Sequence, residues 1–133
     1  MSKRRVVITG LGMLSPLGNS VPQSWNNIIK GNSGVTNINK FDTEGFETKF
    51  AATVNCNAED YLDKKDIRRV DEFIQFGLIA SQECLTDSGL NLEEEDLNRI
   101  GVSIGSGIGG LGTIEANNFI LNTKGPNKIS PFF

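Results

Sequence analysis

The chain of 133 residues contains no histidine. That absence removes Ser-His and Cys-His nucleophile pairs and every histidine-bearing metal site. Cysteine is scarce: Cys56 and Cys84 stand far apart and outside any Cys-x-x-Cys spacing, so neither zinc nor a redox pair is indicated. Cys84 reads as a small buried apolar residue. Long apolar runs are missing, since nothing approaches the roughly 18 residues of a membrane span. The basic start Lys3, Arg4, Arg5 leads into only a few apolar residues before Thr9 and Gly10, too few for a secretion signal. A cytoplasmic protein with no membrane partner is expected. An excess of positive charge is lacking too: the formal net charge of −3 argues against nucleic acid as a partner.

The remaining composition, 38% hydrophobic and 22% charged, is that of an ordinary globular chain and excludes general disorder. Arg5 to Thr9 is a short β-branched run closed by Gly10 and Gly12, which predicts a buried first strand. Ser20 is placed to cap a helix with Pro22 in its first turn; Trp25, Ile28 and Ile29 should form its packed face before Gly31 ends it. Between Gly31 and Asp60 only Lys49 to Val54 suggests a strand. Val70, Phe73, Ile74, Gly77, Leu78, Ser81, Cys84 and Leu85 fall on one helical face, widened by Phe76 and Ile79, with Asp87-Ser88-Gly89 as the stop. So broad a stripe predicts a helix buried on most sides. Ile100 to Ile104 reads as a second central strand, and Thr113 to Asn122 as a helix. The expected class is α/β, and two strands are too few to enclose a parallel sheet, so part of a domain is expected rather than a whole one.

Two glycine-rich loops follow the two expected strands. Gly10-Leu11-Gly12-Met13-Leu14-Ser15 approximates the dinucleotide fingerprint, but Ser15 replaces its third glycine, and Pro16 and Gly18 interrupt the helix that should aim at phosphate. A plain turn is the better reading, and no cofactor is expected. Gly105 to Gly112 lacks the Lys-Ser/Thr pair of a phosphate loop, which leaves close backbone approach to a ligand or to a packed helix, and both stay open. Lys65, Arg68 and Arg69 stand at i, i+3 and i+4, which on a helix would share one face. They form either a docking patch for an acidic partner or a solvated face with local ion pairs.

Three blocks carry a family resemblance. Arg4 to Gly18, Gly105 to Gly112 and Lys128-Ile129-Ser130-Pro131-Phe132-Phe133 resemble the 3-oxoacyl-acyl carrier protein synthases, in their type II branch. The resemblance implies an α/β, thiolase-like fold, with residues 1–133 forming the first part of its amino-terminal half. It also implies a homodimer and a condensation in which malonyl-carrier, losing carbon dioxide, extends an acyl group held on a cysteine. In the family that cysteine, two histidines and a lysine lie further along than Phe133, and neither Cys56 nor Cys84 matches the nucleophile's motif. No catalytic residue is therefore assigned. Gly107 and Ile108 resemble the wall of the acyl pocket, and Phe133 resembles the aromatic that reaches the partner subunit's pocket. Lys65, Arg68, Arg69 and Lys128 resemble the basic surface that meets an acyl carrier protein with its phosphopantetheine-linked acyl or malonyl group. Asn127 departs from the family, which often has a second basic residue there. The rival readings are a nucleotide-binding module at Gly10 to Ser15 and a non-catalytic carrier-binding domain.

Overall fold

The structure, a computed structural model, describes residues 3–131. It contains helix α1 (Val21–Ile29), strands β1 (Val35–Asn37) and β2 (Phe50–Ala52), a short helix α2 (Lys64–Ile67), and helices α3 (Glu72–Ser88) and α4 (Leu111–Lys124). Single 3-10 turns occur at Ala58–Asp60, Leu97–Arg99 and Pro126–Lys128. The chain divides into two compact units. The first takes the residues up to Asn57 together with Ile79–Glu95, and the second takes Ala58–Leu78 and the described residues from Asp96 onward.

In the first unit, α1 begins and ends where its sequence says. Ser20 accepts the Gln23 N–H at 3.3 Å while the Gln23 side chain accepts the Asn19 N–H at 2.8 Å, so two donors at the helix start are satisfied. At the other end Gly31, in the left-handed region at φ 68°, donates to the Ile28 carbonyl, and Asn32 donates to that of Asn27. This pair of bonds is the Schellman closure. The buried face, however, is not the expected apolar one. Ser24 is fully buried, its hydroxyl 2.8 Å from that of Ser15 and bonded to the Gly18 carbonyl, and Asn27 donates to the Leu17 carbonyl at 2.7 Å. Trp25, Ile28 and Ile29 are exposed. The tight turn Ser15 to Gly18 presents backbone carbonyls to α1, and only polar side chains can satisfy them.

β1 and β2 pair antiparallel, Val35 opposite Ala52 and Asn37 opposite Phe50, and the loop between them packs Phe41 edge-on to Phe46. The expected strand at Lys49 to Val54 is thus present, shortened at both ends. The expected strands Arg5 to Thr9 and Ile100 to Ile104 are not: neither pairs with another segment among the described residues. A β-branched run becomes a strand only when a neighbour supplies the other half of its ladder. Val6, Ile8 and Val102 are correspondingly exposed.

α3 runs from the second unit into the first and stops at Gly89, whose φ of 65° no β-branched residue would tolerate. Of its broad apolar stripe only Ile79 is buried; Phe73, Ile74, Leu78 and Leu85 remain partly exposed, contrary to the expectation of a helix covered on most sides. Burial needs covering elements as well as an apolar face, and few lie against α3 among the described residues. Two acids of its polar face in the first unit hold backbone amides. Asp87 accepts the Leu11 N–H, and Glu83, with its two oxygens, accepts the N–H groups of Met13 and Val21. Four helical residues rise about 6 Å, close to the span of two residues of extended chain, so acids at i and i+4 match amides at i and i+2.

Candidate functional site

The second unit carries every described residue marked by the sequence for binding: Lys65, Arg68, Arg69, Gly107, Ile108 and Lys128. Phe133 lies outside the described residues. The basic segment is built differently from its expectation. α2 ends at Ile67, Arg68 is its cap and Arg69 follows, held by a single turn in which its N–H donates to the Asp66 carbonyl at 2.9 Å. A shared helical face is therefore not what groups these cations. Gln75 gathers the segment instead, its side-chain amide donating to the carbonyls of Ile67 (3.2 Å) and Val70 (2.9 Å). Lys65, Arg68 and Arg69 are exposed, while Lys64 pairs with Glu59 at 3.2 Å on the surface. Such a pair contributes at most about 1 kcal/mol.

Lys128 sits in the 3-10 turn that follows α4, after Gly125 at φ 81°. A cleft of about 220 Å³ is lined by Arg68, Arg69, Asp71, Thr113 and Ser130, among others. This cleft brings the basic segment beside the stretch that carries Lys128.

The second glycine loop is open. A side chain added at Gly105 or Gly107 would meet nothing within 4 Å, and Ile108 is 75% exposed. Ile108 is thus not a packed core residue here. Order returns at the loop's exit, where the Ser106 hydroxyl accepts the Gly109 N–H at 3.0 Å and the Phe73 ring lies against Gly109 at φ 81°. Asp71 bonds the Thr113 hydroxyl and lies so close to Gly110 that a side chain there would collide with its carboxylate. On the other flank, Phe73, Ile74, Gly77, Leu78 and Ile104 form most of an apolar cleft of about 340 Å³ that reaches Gly105 and Ser106. The arrangement offers an apolar groove at the base of an open glycine turn and exposed arginines at the neighbouring cleft. It offers no nucleophile, and among the described residues no cluster able to hold a metal.

Asp71, Phe73 and Thr113 were missed as site residues. Asp71 read as one of several acids flanking the cations, and Phe73 as core. An acid immediately before a helix was the available signal, since that is a capping position.

The first glycine loop answers the nucleotide reading. Added side chains at Gly10 and Gly12 would strike the backbone of α3 at Cys84 and Ala80, and the Leu11 and Met13 amides are engaged by carboxylates. Pyrophosphate would find those donors taken and negative charge in its place. Cys84, half-buried, points its thiol at the Gly10 carbonyl at 3.4 Å.

A family model, the beta-ketoacyl synthase N-terminal domain, matches residues 3–133. The 3-oxoacyl-[acyl-carrier-protein] synthase 2 of Vibrio cholerae is 55% identical over 134 residues, covering 100% of this chain and 32% of the relative. That of Staphylococcus aureus (strain COL) is 47% identical over 131 residues, covering 98% of this chain and 32% of its own length. The chain thus spans about a third of the length of the curated relatives it matches. Among solved structures, the ishigamide ketosynthase/chain length factor matches with TM-score 0.77 at 25% identity, over 98% of this chain and 33% of that one. The AntDE ketosynthase, in complex with the type II PKS acyl-carrier protein AntF and bound to the hexaketide, matches with TM-score 0.73 at 26% identity, over 98% and 34%. The expected α/β, thiolase-like class holds, although the expected strands Arg5 to Thr9 and Ile100 to Ile104 are unpaired among the described residues.

Proposed function

Since the chain belongs to the beta-ketoacyl synthase family through that family's N-terminal domain, we propose that its protein elongates fatty acids as a 3-oxoacyl-acyl carrier protein synthase. In the proposed reaction a cysteine thiol takes the acyl group from its carrier, releasing the carrier thiol. Malonyl-carrier then loses carbon dioxide, the resulting carbanion attacks the acyl-enzyme carbonyl, and the cysteine leaves as thiolate. Dividing the condensation at a covalent intermediate replaces one difficult step by two easier ones. Residues 1–133 supply binding surfaces to this reaction rather than its chemistry: they contain no histidine, and Cys56 and Cys84 lie outside the nucleophile's motif. The observation that carries the reading is sequence identity of 47–55% to synthase 2 enzymes along the whole chain.

Within it, Lys65, Arg68, Arg69 and Lys128 meet the acidic carrier, Gly107 and Ile108 line the acyl pocket, and Phe133 reaches the pocket of a second subunit in a cytoplasmic homodimer. The exposure of the cations, and the cleft that Arg68 and Arg69 share with Ser130, support the first assignment. The open glycine loop beside an apolar groove supports the second. Among the described residues no helix is long and apolar enough to cross a membrane.

The test is formation of 3-oxoacyl-carrier from acyl- and malonyl-carrier by the full-length protein. Reversing Lys65, Arg68 and Arg69 to Glu should raise the carrier KM by roughly tenfold or more and flatten its salt dependence. Ile108→Phe should slow transfer of long acyl chains while sparing short ones, with no fall in melting temperature. Absence of product from the unaltered protein would refute the proposal.

A further inference from the structure

Little packing fixes the loop that carries Gly107 and Ile108: there is open space at Gly101, Gly105 and Gly107, and Ile108 is largely exposed. Its path must be set where it is tied. The strongest ties are at its exit into α4, and they lead to one carboxylate. α4 has Gly110 at its cap position, with no side chain to offer, and no acid in its first turn. Asp71, at the start of α3, brings a carboxylate to this end of α4. One of its oxygens accepts the Thr113 hydroxyl and the other lies against Gly110, while its own carbonyl accepts the N–H groups of Ile74 (3.0 Å) and Gln75 (3.1 Å). A negative group beside the amino end of a 14-residue helix is also favoured by the helix dipole. Two residues upstream stands Arg69, which shares a cleft with Asp71 and Thr113.

We propose that Asp71 and Thr113 form a positioning pair that fixes the glycine loop, and with it Ile108, relative to the start of α3. Neither residue touches the reacting atoms. The pair sets where Ile108 stands, and so how readily a long acyl chain is admitted. This rests on the condensing-enzyme reading above.

The experiment uses the full-length protein with Thr113→Val, which keeps the shape and removes the hydroxyl, and Thr113→Ser, which keeps the hydroxyl. Loss of a hydrogen bond to a charged group predicts roughly a tenfold lower kcat for transfer of long acyl chains in Thr113→Val. Short-chain transfer and carrier KM should change little, and Thr113→Ser should retain the unaltered protein's length profile. An unchanged profile in Thr113→Val overturns the proposal, as does an equal loss at both lengths that follows the melting temperature. Should Thr113→Val not fold, Asp71→Asn is read in its place: a length-dependent loss supports the pair and an unchanged profile overturns it. An unaltered protein that makes no 3-oxoacyl product removes the condensing reading itself, whereas an active one with no Thr113 effect removes only the positioning pair.

Discussion

A side chain added at Gly10 or Gly12 would land on the backbone of α3, whereas one added at Gly105 or Gly107 would point into open space. Both loops follow a β-branched run and both are rich in glycine. In the first, glycine allows a helix to approach so closely that its carboxylates reach backbone amides. In the second, it leaves backbone uncovered beside an apolar groove. Glycine content by itself therefore says that backbone is exposed to something, and the facing element decides to what.

The largest effect expected from this contrast is at Gly12. Gly12→Ala must displace the Ala80 carbonyl of α3, and overpacking against backbone should lower stability by about 3 kcal/mol. A urea unfolding midpoint unchanged from the unaltered full-length protein would show that the first loop is as free as the second. Next comes Glu83. Its removal in Glu83→Ala leaves the Met13 and Val21 amides without their acceptor, at a cost of about 2 kcal/mol. Glu83→Gln, with one oxygen retained, should lose roughly half of that. If both variants melted together with the unaltered protein, the carboxylate would not be what secures the first loop. The smallest effect belongs to Gly107→Ala, which has room and no positive φ to relieve; its stability should change by less than about 0.5 kcal/mol. A large fall in its melting temperature would erase the difference between the loops, while a shift in acyl-length preference at constant stability would sharpen it.

Local signals in the chain were readable because their physics is local. Ser20, Pro22 and Gly31 delimit α1, Gly89 stops α3, and the composition of residues 113–122 marks α4. Readings that needed a partner fared worse. Arg5 to Thr9 and Ile100 to Ile104 have strand-forming side chains, but a ladder is a property of two segments. The apolar residues of α1 gave the wrong buried face because nothing in their spacing reveals the carbonyls of the Ser15 to Gly18 turn. For the site, the cations and the glycine loop could be named from sequence, while Asp71 could not: its bond to Thr113 crosses 42 positions, and no periodicity within one element encodes it. Cys84 was expected to be inertly buried and is instead half-buried, facing a carbonyl.

Glu83 joins Met13 across 70 positions and Val21 across 62. Closing so long a loop carries an entropic cost, and one carboxylate offsets part of it by receiving two amides at a single closure. During synthesis the Met13 and Val21 amides thus wait for a carboxylate made 62 to 70 positions later before this segment can be secured.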